Sequence, residues 1–190
     1  MRRIIVFNSM SLDGYYTGPN GEIDWFIHDP EVDHAAHQRM NPDTILFGRA
    51  TYQMFESYWP QVARNPKAPE GARLMAEELN QMTKVVFSTT LTEVTWENSK
   101  LLHGNVVEEV RKLKTDEGAD ITIFGSGTLV QQLAQEGLID EYLLLVMPVI
   151  VGGGKLLFND VPKTKLERLE TRSFKSGVVL LHYRIGQDAG

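Results

Sequence analysis

Three short segments combine glycine, hydroxyl and basic residues in a way that suits phosphate binding. They are Gly48-Arg49-Ala50-Thr51, Ser88-Thr89-Thr90 and Gly125-Ser126-Gly127-Thr128, and each follows a short apolar run typical of a strand. Glycine lets the backbone turn closely, and the free N–H groups at the start of a following helix can bind an anion. Tight turns and helix caps use the same residue types. Three such segments at neighbouring strand ends would nevertheless favour a bound dinucleotide.

The third segment does not match the Rossmann fingerprint. That motif needs a third glycine where Val130 stands, and it usually opens the first strand–helix–strand unit of a domain. Here the glycine turn comes two-thirds of the way along the chain. A dinucleotide is therefore expected to bind in a different manner.

Hydrophobic patterning predicts strand–helix units that position these segments. Asp29-Pro30-Glu31 is typical of a helix start, with a capping acid followed by proline. Residues 11–20 are rich in turn formers and predict a loop, whereas residues 94–102 fit either a short strand or irregular structure. The other predicted strands cover 3–10, 44–47, "KVVFSTT" and 121–124, and the helices cover 29–40, 49–59, 72–82, 105–117 and 128–135.

The last third of the chain changes character. "EYLLLVMPVIVGGG" is a long β-rich run, and "LERLETRSFKSGVVLLHYRI" predicts two strands joined around residues 175–177. We therefore expect an α/β fold with a mainly parallel sheet and an antiparallel edge. The apolar run from Tyr142 to Val151 and the terminal hairpin offer a surface for a homodimer, although a buried central strand has the same pattern.

Composition limits the function classes. The 190 residues predict one domain, 1–190, and the net charge of −6 argues against a nucleic-acid-binding body. The absence of cysteine excludes disulfides, thiolate catalysis and cysteine-based zinc sites. No run approaches the ~20 apolar residues of a membrane span, so a cytoplasmic location is expected. His28, His34 and His37 lack the spacing of the helical metal motif, and no metal is expected.

Four segments together resemble the dihydrofolate-reductase-like superfamily. They are "MSLDGYYTGPNGEIDWF", "DTILFGRATYQMF", "VVFSTTL" and "ITIFGSGTLVQQLAQEGLIDEYLLLVMPVIVGGGKLLF", in family order and over nearly the whole chain. The chain is most similar to the reductase domain of bifunctional riboflavin-biosynthesis enzymes and its stand-alone relatives. The resemblance implies a three-layer fold with a mixed, mainly parallel sheet of about eight strands and a C-terminal antiparallel hairpin. It also implies an NADPH-dependent reductase.

The resemblance assigns roles to the segments named above. The first matches the family's Gly-x-x-Thr cofactor segment, and the second matches the stretch beside the adenosine 2′-phosphate, which favours NADPH over NADH. The third matches the glycine turn beneath the pyrophosphate and nicotinamide. Ser11, Asp13 and Gly14 match the loop near the nicotinamide and substrate.

Two departures bear on the substrate. Riboflavin-pathway reductases typically carry a glutamate, a proposed substrate contact, where this chain has Phe124. Their deaminase domain, with its cysteine and histidine zinc ligands, has no counterpart in these 190 residues. The expected substrate is therefore a small flat heterocycle, pteridine- or ribosylaminopyrimidine-like, without a closer identity.

Hydride transfer usually needs a proton source for the reduced atom. Asp33, with His37 one turn later, is a candidate acid, although a solvated charged pair would have the same spacing. Asp13 is the second candidate, and Asp24 beside Trp25 could line a pocket for a flat ring together with Ser11 and Phe124.

Gly152 to Lys155 could bind an anion on successive N–H groups or form a flexible loop. The sequence thus predicts an NADPH-dependent reductase of a small molecule. The alternative is a non-catalytic nucleotide- or flavin-binding module on the same fold.

Overall fold

A computed structural model describes residues 1–186 of the chain. The strands are β1 (Ile4–Ser11), β2 (Tyr15–Thr17), β3 (Pro42–Gly48), β4 (Thr83–Phe87), β5 (Ser99–Leu102), β6 (Asp120–Phe124), β7 (Glu141–Met147), β8 (Lys155–Leu156), β9 (Leu166–Ser173) and β10 (Val179–Ile185). The helices are α1 (Pro30–His37), α2 (Arg49–Arg64), α3 (Glu70–Gln81), α4 (Val106–Thr115) and α5 (Gly127–Gln135).

Eight strands form one sheet in the order β5-β4-β3-β6-β1-β7-β10-β9. All pairings from β5 to β7 are parallel, and β10 is antiparallel to both β7 and β9. The predicted mainly parallel sheet with a C-terminal antiparallel hairpin is therefore confirmed. Helices lie in the connections between successive strands from β3 to β4 and from β5 to β7, whereas β4 and β5 are joined by a loop.

Alternate side chains of each central strand enter opposite helical layers. Ile4 packs with α4 and α5, whereas its neighbour Ile5 lies on the face that α1 covers. Helices α2 and α3 cover that second face further along the sheet, where Tyr52 and Leu79 pack against Phe47. The sheet is thus enclosed between two layers of helices, which gives the predicted three-layer arrangement.

The structure corrects the predicted elements at several boundaries. The expected loop 11–20 contains β2, which pairs with β8 in a separate two-stranded sheet. In the 94–102 segment only Ser99–Leu102 is a strand, and α1 ends at His37 rather than near residue 40. Strand β4 stops at Phe87, so the three hydroxyl residues of "FSTT" form the turn beyond it. The pairing of β2 with β8 joins distant segments, which local pattern does not contain, and the ends of elements are the part that local pattern predicts least well.

Strand β7 lies inside the sheet between β1 and β10, so most of the apolar run from Tyr142 is buried within one chain. Beyond the strand, Ile150 is 71% exposed. A homodimer remains a prediction. Among residues 1–186, no helix is long and apolar enough to cross a membrane. The predicted domain, 1–190, extends over residues 187–190, which lie outside the described part.

Candidate functional site

The three predicted phosphate-binding segments meet at one edge of the sheet. They follow β3, β4 and β6, which are adjacent and parallel in the order β4-β3-β6. Parallel strands end on the same side, so Gly48, Ser88 and Gly125 begin three neighbouring turns. This is the edge at which open α/β sheets bind their ligands.

A pair of reciprocal hydrogen bonds joins the first and third turns. The backbone N–H of Gly48 donates to Ser126 Oγ over 3.0 Å, and the N–H of Ser126 donates to Thr51 Oγ1 over 3.0 Å. Ser126 adopts a left-handed conformation with φ of 49°. The hydroxyls of Thr51 and Ser126 therefore fix the start of α2 against the start of α5.

Gly125 and Gly127 are required by their surroundings. Gly125 has φ of 54°, and a Cβ there would lie 3.0 Å from Thr51 Cγ2. The ring of Tyr16 occupies the space that a Cβ on Gly127 would fill. Burial raises the pKa of the Tyr16 phenol, and the nearby Gly127 backbone opposes this shift. Both glycines thus permit close packing around the start of α5.

Helices α2 and α5 begin without a side-chain cap, because Gly48 and Ser126 make no capping hydrogen bond. By contrast, Asp29 caps α1 and Asn105 caps α4. Uncapped first-turn N–H groups carry partial positive charge and are suited to a phosphate. Helix α3, which follows Pro69, also lacks a side-chain cap but does not follow a strand end.

A cavity of about 340 Å³ lies at the ends of β4 and β5. Its lining comprises Arg49, Phe87, Ser88, Thr89, Thr90, Leu102, His103, Gly104 and Val106. Ser88 Oγ accepts the N–H groups of Thr90 and Leu91 over 3.1 and 3.0 Å, so this hydroxyl shapes the turn. Arg49, Thr89 and Thr90 are exposed and available to a ligand.

Asp13 holds the loop after β1 against the loop after β7. Its carboxylate accepts the N–H of Val151 over 3.1 Å and the N–H of Gly152 over 2.8 Å. A hydrogen bond from Ser11, followed by these N–H groups, holds the pKa of Asp13 below its usual value. Thus the anion that binds the start of the Gly152–Lys155 segment is the protein's own carboxylate. Ser11 is fully buried, and its Oγ accepts the Tyr15 N–H over 2.9 Å.

Asp33 lies on α1, which packs against β1 and β7. Its side chain reaches the surface, yet the protein atoms around the carboxyl desolvate it and raise its pKa. His28 opposes this shift and Asp29 adds to it. His37 does not form an ion pair with Asp33. Its Nδ1 instead lies 3.6 Å from Glu78 Oε2 on α3. Within residues 1–186, no cluster of three or more His, Asp or Glu residues is arranged to hold a metal.

The predicted substrate residues differ in accessibility. Trp25 meets Phe26 edge-on, with 4.6 Å between ring centroids, and packs beside α1. Its indole N–H is buried and has no acceptor among the described residues. Asp24 is exposed, whereas Phe124 is only 7% exposed and packs against Phe7 and Phe55. Phe124 therefore offers a ligand little surface.

Sequence reasoning missed two residues at this edge, Tyr16 and His103. Tyr16 lies in the segment 11–20, which was expected to be a loop, so its position beside Gly127 was not predicted. His103 immediately follows β5, a strand that sequence pattern did not distinguish from irregular structure. If the sequence had clearly predicted a strand at 99–102, His103 would have been identified as another residue at the end of a strand.

The family is shown by similarity over most of the chain. The family model of the RibD C-terminal domain matches residues 2–180. The uncharacterized protein YyaP of Bacillus subtilis is 36% identical over 184 residues, covering 96% of this chain and 94% of the relative.

Two solved structures share the fold at lower identity. A Shewanella sp. PV-4 protein named for riboflavin biosynthesis gives a TM-score of 0.73 at 24% identity, covering 97% of this chain and 99% of that one. Dihydrofolate reductase from Enterococcus faecalis, in a complex with NADP(H), gives 0.65 at 14% identity and covers 97% of both chains. The family model over residues 2–180, together with this shared fold, confirms the predicted superfamily. The chain belongs to the RibD C-terminal domain family and has the reductase-type fold of that family.

Proposed function

We propose that this protein is an NADPH-dependent reductase that acts on a small flat heterocycle by hydride transfer. The observation that carries the proposal is the convergence at one sheet edge of two uncapped helix starts and a cavity bearing Arg49. An anionic dinucleotide needs both features, because its pyrophosphate and its 2′-phosphate lie far apart. The net charge of −6 does not oppose this, since a pocket can be positive on an acidic protein.

Different residues would bind the 2′-phosphate and the pyrophosphate of the cofactor. Arg49, Thr89 and Thr90 would hold the adenosine 2′-phosphate in the cavity, and the first turns of α2 and α5 would hold the pyrophosphate. The bonds between the two turns fix the separation of these helix starts before the ligand arrives. Such preorganisation lowers the entropy cost of binding.

Asp33 is proposed as the proton source. When bound, NADPH would supply a hydride to one atom of a substrate double bond, and the neighbouring atom, which takes the electron pair, would need a proton. Desolvation raises the pKa of Asp33, so its carboxyl keeps its proton to higher pH than an ordinary aspartate does. Asp13 has a lowered pKa and is engaged by backbone N–H groups, so we assign it a positioning role. Trp25 would form an aromatic wall beside the substrate.

The substrate is proposed to be pteridine- or pyrimidine-like. A flat ring could stack on the half-buried side chain of Trp25, and Phe124 leaves no carboxylate at the position where riboflavin-pathway reductases typically carry glutamate. A substrate that does not require that contact is therefore favoured.

Cofactor titration tests the proposal. NADPH should quench tryptophan fluorescence more strongly than NADH, because only NADPH carries the 2′-phosphate. Arg49→Ala should weaken NADPH binding about tenfold or more, the cost of a charge-assisted hydrogen bond. Arg64→Ala is the matched control, since Arg64 is also exposed but lies at the opposite end of α2. Absence of NADPH binding at high micromolar concentration would refute the cofactor assignment.

Turnover is a separate measurement. NADPH oxidation is followed at its absorbance maximum in the presence of pterins, flavins and ribosylaminopyrimidines. Oxidation with one of the pterins or pyrimidines supports the reductase. Tight NADPH binding without oxidation by any compound would favour the non-catalytic binding module.

A further inference from the structure

His103 lies in the cavity beside the proposed 2′-phosphate position, although no prediction from the sequence included it. It follows the last residue of β5 and lines the cavity together with Arg49 and the Ser88–Thr90 turn. Its side chain is exposed, so it can contact a ligand without displacing packed neighbours.

The hydrogen bond of His103 determines which ring nitrogen faces the ligand. Nδ1 lies 2.7 Å from the carbonyl oxygen of Ser88. A carbonyl oxygen can only accept, so Nδ1 carries the hydrogen. In the neutral ring Nε2 is then an acceptor and has no proton to offer a phosphate. Protonation converts Nε2 into a charged donor.

The start of α4 does not replace this donor. Asn105 Oδ1 already accepts the N–H groups of Val107 and Glu108, so a side chain occupies the start of α4. The charged groups around His103 are Arg49, which lines the cavity from α2, and Glu109, which lies beside Gly104 from α4. The Glu109 carboxylate is bonded to Lys112 over 3.0 Å.

We propose that His103 is a proton-dependent specificity residue, which binds the 2′-phosphate of the dinucleotide through Nε2–H when its ring is protonated. The inference rests on the proposed function, because it assumes that the dinucleotide occupies this cavity. It adds a consequence that the cofactor assignment alone does not contain. Preference for the 2′-phosphorylated dinucleotide rises as pH falls across the range, about pH 5 to 8, in which histidine changes charge.

Calorimetry with NADP⁺ and NAD⁺ tests this role, since the oxidised dinucleotides are stable in mild acid. Near neutral pH, NADP⁺ binding should take up protons, measured in buffers that differ in ionisation enthalpy, and NAD⁺ binding should not. His103→Asn keeps a donor where Nδ1 bonds Ser88 but removes the titrating Nε2. We expect it to lower NADP⁺ affinity about 5- to 10-fold at pH ~6, with little change at pH ~8.

Two further variants separate charge from structure. His103→Arg should restore tight NADP⁺ binding at both pH values without proton uptake, because guanidinium stays charged. His34→Gln removes an exposed histidine on α1 and should change neither quantity. The ligand phosphate itself titrates near pH 6, and the His103→Asn data measure that contribution alone.

The outcomes distinguish the two proposals. If the wild-type protein binds neither dinucleotide, the proposed function fails. If it prefers NADP⁺ but His103→Asn shows the same pH dependence and proton uptake, the role of His103 is overturned and the proposed function stands. Loss of binding to both dinucleotides in His103→Asn would also contradict a specificity role.

Discussion

Gly125→Ala tests whether the bonds between the two turns build the site. Alanine at φ of 54° costs about 1–2 kcal/mol, because the left-handed region disfavours a Cβ. The new Cβ would also lie 3.0 Å from Thr51 Cγ2 and 3.1 Å from Thr51 Oγ1, closer than the ~3.5–4.0 Å of favourable contacts. Thr51 must therefore move, which weakens its bond to the Ser126 N–H at a cost of about 0.5–1.5 kcal/mol. The expected loss of unfolding free energy is ~2–3 kcal/mol.

Gly137→Ala is the matched control. Gly137 follows the other end of α5 and has φ of 63°, and a Cβ added there would meet no heavy atom within 4 Å. It should therefore lose only the ~1–2 kcal/mol of backbone strain. Urea denaturation gives both values, and fluorescence titration gives NADPH affinity. We expect Gly125→Ala alone to weaken NADPH binding, since only that change disturbs the start of α5.

A second substitution can relieve the close contact between the new Cβ at position 125 and Thr51. Adding Thr51→Ser to Gly125→Ala removes the methyl group nearest the new Cβ and keeps the hydroxyl that bonds Ser126. The double variant should recover part of the lost stability and affinity, a coupling that a double-mutant cycle measures. Equal stability losses in Gly125→Ala and Gly137→Ala, with equal NADPH affinity, would show that the bond between Thr51 and Ser126 does not build the site.

Two other predictions concern ionisable groups. The wild-type rate should decline as pH rises through the raised pKa of Asp33. Asp33→Asn should lower turnover, leave NADPH affinity unchanged and abolish this decline. An unchanged rate would exclude Asp33 as the proton source. Lys84 is buried against Trp96, donates to the carbonyls of Leu79 and Asn80, and has a pKa lowered by desolvation from 10.5 to about 8. The unfolded chain binds the Lys84 proton more tightly than the folded chain does. The unfolding free energy of wild type, relative to that of Lys84→Met, should therefore rise by up to ~3 kcal/mol between pH ~8 and ~10.5 when it is measured by urea denaturation. A difference that does not change with pH would contradict the lowered pKa.

Local sequence pattern was sufficient wherever one segment determines its own geometry. Asp29 before Pro30 predicted the capped start of α1, and Asp29 does accept the Glu31 N–H. Gly125 after an apolar run predicted the turn between β6 and α5 for the same reason. The order of strands and helices followed from these local signals and from the hydrophobic period.

Local sequence pattern could not predict contacts between distant segments. Thr51 and Ser126 are separated by 75 positions, and nothing in either segment indicates their hydrogen bond. The same applies to Asp13, whose partners lie 138 and 139 positions away, so local pattern did not show that this carboxylate binds backbone N–H groups of a second loop. Residue type suggested candidate polar groups, but the contacts between distant segments determine which of them remain free for a ligand.

The strand order also gives the proposed cofactor a direction. From β4 to β1 there are three strand steps of about 4.8 Å, roughly 14 Å across the strand ends. Arg49 and His103 lie at the β4 and β5 end, whereas Asp33 lies on the helix that packs against β1 and β7. A dinucleotide with its 2′-phosphate beside Arg49 would therefore extend across β3 and β6 and bring its nicotinamide toward β1. The opposite orientation would place the reacting ring beside Arg49, where the acid at the cavity, Glu109, is already bonded to Lys112. The acid on α1 and the cation at the start of α2 thus support the same orientation independently.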